Sequence, residues 1–270
     1  MNQNFTQPLV RYARIWLAQI RYSTVREMMF KSNFILWMIV DLCWFGVQLG
    51  FIQFLYLQVD TVAGWSKWAM ILLVSTNNLI QQLFQTFLMI NLTKLPELIR
   101  SGRLDFYLAQ PAPAQFLIST RNFEPGSVAN ALMAAIVCLV AFAQLGMQLS
   151  LAGLFFFPVL VVLGVLIHYS LMLTVMSLGF WMTRASGFIN AYYSLFQIAR
   201  LPREAFYGMA RFAFTWIIPL LLIANVPART LLYGLNGIDL AEMALATGLL
   251  LAVSTSIFQA GLRRYGSASS

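Results

Sequence analysis

Charged side chains are scarce in this chain. Only 10% of its 270 residues are Asp, Glu, Lys or Arg, whereas 60% are hydrophobic, and the mean hydropathy is +0.75. Water-soluble domains carry about 25% charged residues, so the composition excludes an ordinary soluble protein and predicts an integral membrane protein. The net charge of +8 is better explained by orientation in a membrane than by a nucleic-acid partner, so we expect no nucleic acid.

Residues that bind metals or carry out catalysis are also rare. The two cysteines, Cys43 and Cys138, lie inside apolar runs, and His168 is the only histidine. We expect His168 to be a hydrogen-bonded residue at a helix contact, with a role in transport as the alternative. No phosphate-binding loop, HExxH motif or nucleophile elbow occurs. We therefore expect no catalytic residue, metal or cofactor in this chain, and any energy for transport must come from elsewhere.

Long apolar runs dominate the rest of the chain. Six of them approach the roughly 20 residues that a spanning helix needs, which predicts an all-α membrane domain over residues 33–261. An uncharged aromatic stretch, residues 187–199, is short, and we expect it to lie at the membrane interface. The six predicted spans are residues 33–57, 68–91, 127–149, 154–182, 212–226 and 240–261.

The distribution of positive charge predicts the orientation. Of the 17 Lys and Arg residues, only Lys67 and Arg229 fall on one side of the six predicted spans. By the positive-inside rule, both termini and the short tail, residues 262–270, are cytoplasmic. This count places Arg200 and Arg203 on the cytoplasmic side, which requires that residues 187–199 do not cross the membrane.

Residues 1–32 precede the first span and have an amphipathic pattern. Arg11, Arg14 and Arg21 share one helical face, whereas Trp16 lies on or near the opposite face. This pattern predicts a helix in the membrane surface, with Trp16 toward the acyl chains. A cytoplasmic extension of the first span is an equally good interpretation of the periodicity.

Charge is concentrated in one connection, residues 92–116, between the second and third spans. Pro96 suits the first turn of a helix, Gly102 suits its end, and Pro111 and Pro113 oppose continuation, so we expect a short helix and then an extended arm. Such a charge density cannot lie in lipid, and we expect this segment to project into water and dock a soluble partner. Its charged residues are Lys94, Glu97, Arg100, Arg103 and Asp105.

Three further features lie within the predicted membrane domain. Residues 217–239 are apolar but broken by prolines and glycines, which predicts a re-entrant segment at the outer end of a pathway. Gly46 and Gly50 permit close helix approach, either between subunits or within the chain. Asp41 is either a functional carboxylate or one that reaches headgroups or a basic partner. A polar row on the second span faces a cavity, which we favour, or another helix; it consists of Asn78, Gln81, Gln82 and Gln85.

These features together resemble a known family. The amphipathic lead-in, the stretch R-S-G-R-L-D-F-Y-L-A-Q-P-A-P at residues 100–113 and the ending G-L-R-R-Y-G-S-A-S-S at residues 261–270 resemble the permease subunit of a type-two ATP-binding-cassette (ABC) exporter. The family's ending usually has Ser where this chain has Gly266.

The resemblance implies a half-transporter of six helices in a bacterial cytoplasmic membrane, surrounded by lipid. It implies a second permease copy or a related permease as partner, and two ABC ATPase subunits that hold ATP and Mg²⁺. Residues 1–32 would be an elbow helix, residues 217–239 a re-entrant segment, and residues 94–105 a coupling helix that touches the ATPase. The docking residues would then include Leu104 beside the charged residues of this segment.

Two interpretations from other classes remain beside the transporter. A membrane anchor would only tether a cytosolic protein, and it has no use for a polar row that lines a cavity. A channel or secondary carrier would transport without ATP.

Overall fold

The computed structural model describes residues 6–29, 31–148, 150–182 and 186–266. In these ranges the chain is helical, apart from turns and one isolated bridge between Val62 and Trp65, so the all-α prediction is confirmed. The helices are α1 (Thr6–Met28), α2 (Lys31–Leu55), α3 (Lys67–Phe84), α4 (Ile90–Leu92), α5 (Leu95–Arg100), α6 (Asp105–Leu108), α7 (Ala114–Thr120), α8 (Pro125–Gln144), α9 (Leu151–Ser177), α10 (Ser186–Phe196), α11 (Gly208–Phe212), α12 (Leu220–Tyr233) and α13 (Gly237–Arg264).

Four helices are long and apolar enough to cross a membrane, or five if the bent pair of α11 and α12 counts as one span. The four are α2, α8, α9 with the 3₁₀ turn that follows it, and α13. Helix α3, the second predicted span, is not among them because its polar side chains lower its hydropathy. It lies in the middle of the bundle against α8, α9 and α12, and nearly every residue from Ala69 to Gln82 is buried.

The two ends of the bundle are defined by helix contacts. At one end, which we call the coupling end, Pro96 of α5 lies beneath Gly179, just after α9. At the opposite end, the far end, the start of α9 lies beside α12, where Gly153 faces the carbonyl of Thr230. Helix α13 runs parallel to α9, because its residue Phe258 packs against Phe180 at the coupling end, 6.0 Å between ring centroids.

A glycine lets three helices meet at the centre of the bundle. A Cβ on Gly164 of α9 would lie 3.0 Å from Ile80 Cδ1 of α3 and 3.2 Å from the carbonyl oxygen of Ile223 of α12. Any side chain at this position would therefore push α9 away from its neighbours.

The stretch that we predicted to lie at the membrane interface, residues 187–199, instead runs alongside α9 through the bundle. Helix α10 places Tyr192 and Phe196 against His168 of α9. The chain continues in a 3₁₀ turn, Gln197–Arg200, and Glu204 then accepts a hydrogen bond of 2.9 Å from the Trp65 indole at the far end. The interfacial prediction for this stretch was therefore wrong.

The prediction failed because it counted arginines without their partners. Arg203 forms ion pairs with Asp239 at 3.5 Å and Glu242 at 3.1 Å. Arg229 pairs with Glu204 and, at 3.4 Å, with Asp239. Arg203 thus belongs to the far end together with Arg229, and its charge is compensated by carboxylates that sequence separation had hidden. We call these five residues the far-end charge cluster.

The fifth predicted span, residues 212–226, is not one straight helix. The pair Gly208–Ile217 and Leu220–Tyr233 bends by 87°, because Ile218 and Pro219 leave helical geometry and Pro219 has no N–H to donate. Residues 203–204, which precede this pair of helices, lie at the far end. Thr230, near the C-terminal end of α12, also lies there. Helix α12 is buried along almost its whole length, and the predicted break in residues 217–239 is found at Pro219.

The N-terminal region forms a separate helix, since α1 ends at Met28 and α2 begins at Lys31. Trp16, which we expected to face acyl chains, is half-buried and packs on Phe87 with 5.7 Å between ring centroids. Tyr12 packs on Phe116 of α7 in the same way, at 5.3 Å. Tyr12 and Trp16 therefore attach α1 to the bundle. Residues 1–5 and the side chain of Arg11 lie outside the described part.

Helix α13 continues to Arg264, three residues into the predicted C-terminal tail, residues 262–270. The last four residues, 267–270, lie outside the described ranges, as does Arg184.

Candidate docking site and pathway

The charged connection folds into three short helices rather than one helix and an extended arm. Helix α5 has Pro96 in its first turn, as predicted, and ends in a turn where Gly102 adopts φ +71°. This left-handed conformation favours glycine, and it lets the Leu104 N–H reach the Leu98 carbonyl at 3.2 Å. Helices α6 and α7 follow, so the predicted extended arm was wrong.

Buried leucines fix this connection to the bundle. Leu95 and Leu104 are 0% exposed and belong to the main apolar core. A Cβ on Gly179 would lie 3.3 Å from Pro96, so α5 packs directly beneath the end of α9. Leu104, which we included among the docking residues, has no surface to offer a partner and serves as an anchor instead.

The predicted docking residues other than Leu104 and Asp105 form an exposed face. Lys94, Glu97, Arg100 and Arg103 are all exposed. Arg103 pairs with Glu97 and donates a 3.1 Å hydrogen bond to the Ser101 hydroxyl, which itself donates to the Glu97 carbonyl at 2.8 Å. Surface pairs of this kind add little stability, but here they orient the charged groups on a rigid base.

The structure brings together the two motifs at residues 100–113 and 261–270. Asp105, in the first turn of α6, lies near the phenol of Tyr265, which immediately follows α13. Burial and the negative charge of Asp105 raise the pKa of Tyr265. Tyr265 also packs edge-on against Phe180, with 6.2 Å between ring centroids. The ends of α9 and α13 and the start of α6 thus meet at one point.

Sequence reasoning missed two asparagines that flank the connection. Asn91 of α4 is buried, and its side chain bonds to Asn122 just before α8. Asn122 in turn accepts a hydrogen bond from Arg26 of α1 at 3.2 Å. A signal was present, because an asparagine stands near each end of the charged connection, but only the fold shows that they pair.

The side chains of the predicted polar row have different partners: Gln82 contacts Asp41 of α2, and Gln81 contacts Arg200. Gln82 is buried and, with Asn130 of α8, supplies a hydrogen bond to Asp41 of α2; the Asn130 contact measures 3.2 Å. Gln81 accepts a long hydrogen bond of 3.4 Å from Arg200. Asp41 therefore has amide partners rather than the basic residue that we considered. Asn78 is buried on the same helix, and Gln85 begins the π-helical turn that joins α3 to α4, Gln85–Met89.

Two oxygens, both on side chains that bond to Asp41, have no hydrogen-bond partner among the described residues. They are Oε1 of Gln82 and Oδ1 of Asn130, and both side chains are buried. An unsatisfied buried acceptor costs about 1–3 kcal/mol, so this arrangement is expensive unless another group occupies the space during function.

His168 has the packing role that we expected. Its ring stacks on Phe196 with 3.7 Å between centroids and on Phe84 with 5.1 Å, and its Nδ1 lies 3.1 Å from the Tyr192 hydroxyl. In the described ranges, no group of three or more His, Cys, Asp or Glu could hold a metal ion.

Gly46 and Gly50 do not mediate packing within the described chain. Both lie on an exposed side of α2, and a Cβ at either position would meet nothing within 4 Å. Close helix packing within the chain, one of our two alternatives, is therefore not found among these residues.

A comparison with known protein families identifies the family of this chain. A family profile described as ABC-2 family transporter protein matches residues 42–269. The chain belongs to the ABC-2 transporter family. The resemblance inferred from the sequence is thus confirmed, and this ABC-2 family chain is a multi-pass membrane protein and the permease subunit of an ABC transporter. No curated protein and no solved structure gives a significant match.

Proposed function

We propose that this ABC-2 permease forms the pathway of an exporter whose separate ATPase subunits dock on the exposed face of α5. The observation that carries the proposal is the contrast within one connection: Glu97, Arg100 and Arg103 are exposed, whereas Leu95 and Leu104 are completely buried. A charged face on a rigid apolar base can bind a soluble partner and pass on its displacement.

The contacts of this base suggest how displacement reaches the membrane. Helix α5 packs under the end of α9, and α6 lies near Tyr265 at the end of α13. A partner that moves α5 therefore pushes on α9 and α13 together. ATP and Mg²⁺ would be held by the ATPase subunits, and this chain would contribute no catalytic group.

We propose a topology of six passes with both termini and the coupling end in the cytoplasm. The passes are α2, α3 with α4, α8, α9, α10 with its 3₁₀ turn, and α13. This retains the predicted number of spans but replaces residues 212–226 with α10 as the fifth. The bent pair from Gly208 to Tyr233 then enters and leaves from the outer side as a re-entrant segment, because it begins and ends at the far end.

The polar row of α3 is the proposed lining of the pathway. Asn78, Gln81 and Gln82 of α3, with Gln85 of the π-helical turn that follows it, form a row that is too polar to face lipid. The unpartnered oxygen of Gln82 supports this assignment, since a substrate or water in an open pathway would satisfy it.

A second permease, either another copy or a related chain, would complete the pathway. The exposed small-residue side of α2 at Gly46 and Gly50 offers a place where another helix can approach closely. The family assignment supports association with other ABC transporter components.

Affinity purification from the native membrane, with mass spectrometry and an ATPase assay, tests the proposal. The wild-type chain should bring down an ABC ATPase, and Arg100→Glu with Arg103→Ala should lose it. Arg263→Glu is the matched control, because Arg263 is also exposed at the coupling end but lies at the end of α13. A stable wild-type protein that purifies without any ATPase would contradict the proposal and favour an anchor or an ATP-independent channel.

A further inference from the structure

Two adjoining cavities lie between α1 and the charged connection at the coupling end. Their volumes are about 630 and 560 Å³. They adjoin each other, because the same five side chains line both: Arg26, Tyr107, Gln110, Arg121 and Asn122.

The lining of the first cavity is strongly cationic. Besides the shared residues it includes Lys94, Arg103 and Glu97, so four cationic side chains face one carboxylate. Two of the cations are held in place: Arg26 donates to Asn122 at 3.2 Å, and the Arg121 guanidinium lies 5.1 Å from the centroid of the Tyr107 ring. Tyr107 is itself buried, which makes it a firm support for Arg121.

The second cavity adds an apolar side. Ile15, Ala18 and Tyr22 of α1 line it together with Leu117 of α7. Tyr22 is 71% exposed. The cationic cavity therefore adjoins an apolar patch formed by α1 and α7, and Tyr22 at this patch is open to the surroundings.

We propose that these cavities bind one anionic phospholipid, with its phosphate between Arg26 and Arg121 and the start of an acyl chain against the apolar lining formed by Ile15, Tyr22 and Leu117. The planar guanidinium of arginine matches phosphate oxygens, and basic pockets on the cytoplasmic side of membrane helices suit lipid headgroups. An acidic peptide would satisfy the cations but would leave this apolar lining in water. The combination of both surfaces therefore favours an amphiphile.

This site would also connect the lipid to the coupling segment. Arg26 belongs to α1, whereas Tyr107 belongs to α6 and Arg121 precedes α8. A phosphate bound between them bridges α1 to the segment that carries the docking face. The inference uses the proposed orientation of the coupling end, but it does not depend on the ATPase.

The test is native mass spectrometry of the purified full chain in a neutral detergent, titrated with phosphatidylglycerol and with phosphatidylcholine of the same acyl chains. We expect one phosphatidylglycerol to bind in preference to phosphatidylcholine. Arg26→Gln and Arg121→Gln should each weaken phosphatidylglycerol binding about fivefold, the effect expected for one basic residue at a lipid headgroup. Gln110→Glu, which adds an anion to the lining, should weaken it similarly.

Arg14→Gln is the matched control, because Arg14 is exposed on the same helix and lines neither cavity. It should leave phosphatidylglycerol binding within about twofold of wild type, well short of the loss expected from a headgroup contact. Equal binding of the two lipids, or unchanged binding in all three cavity variants, would overturn the proposal. Displacement of the lipid by inorganic phosphate at equal concentration would show a soluble-anion site and also overturn it. Because no ATPase is present, each of these results leaves the proposed docking function untouched.

Discussion

The side chain of Asn91 holds both the main chain and the side chain of Asn122. Its Oδ1 accepts from the Asn122 N–H at 2.7 Å and from the Asn122 amide at 2.8 Å, and its own amide donates to the Asn122 carbonyl at 2.8 Å. This reciprocal pair joins the end of α4 to the start of α8, across the whole charged connection. It therefore closes the base of the segment that we propose moves with the ATPase.

We expect Asn91→Ala to lower the free energy of unfolding by about 2 kcal/mol, because it removes the three hydrogen bonds to Asn122 and leaves the Asn122 N–H without its acceptor. Thermal unfolding in detergent, compared with wild type, measures the effect. Asn190→Ala is the control, because Asn190 is exposed, and it should stay within about 0.5 kcal/mol of wild type. Equal stability of the two variants would contradict a structural role for the pair.

Cysteine accessibility distinguishes the two topologies. In a background with Cys43 and Cys138 replaced by Ala, Tyr207→Cys should react with a membrane-impermeant maleimide added to intact cells. Tyr207 is 78% exposed and follows Glu204, which contacts Trp65 at the far end. Phe106→Cys, in the charged connection and 70% exposed, should react only after permeabilisation. The opposite pattern for Tyr207 would restore the orientation predicted from charge counting alone.

The far-end charge cluster should be important for stability. Arg229→Leu leaves the buried Asp239 and the half-buried Glu204 short of a partner, and we expect it to destabilise the protein by about 3 kcal/mol. Arg211→Leu is the control, because Arg211 is exposed on the nearby α11. Similar melting temperatures for both variants would mean that the cluster contributes no net stability.

The meeting point of α3, α9 and α12 should not accept a side chain. Gly164→Leu places atoms where Ile80 and the Ile223 carbonyl already lie, and we expect a loss of about 1–3 kcal/mol. The carbonyl belongs to helix backbone and cannot rotate away. Gly248→Leu provides the comparison: Gly248 lies within α13 with nothing within 4 Å of a Cβ, so this variant should match or exceed wild-type stability because leucine favours helix over glycine.

The sequence by itself predicted much of what depends on local pattern. Apolar runs predicted the long helices α2, α8, α9 and α13, because about 20 residues of hydrocarbon-compatible side chains have few alternatives. Pro96 and Gly102 predicted the ends of α5, and the charge density of residues 92–116 predicted an exposed face. The motifs at residues 100–113 and 261–270 were enough to identify the family.

Only the tertiary structure decided which charges and which segments belong together. Arg203 and Asp239 are 36 residues apart, and their pairing places Arg203 at the far end rather than beside the charged connection, where charge counting had placed it. Leu104 looked like part of a docking motif, but burial makes it an anchor. Periodicity reports which side of a helix is polar, whereas the identity of the neighbour depends on long-range packing, so the partners of Asn91, Asp41 and Arg203 required the fold.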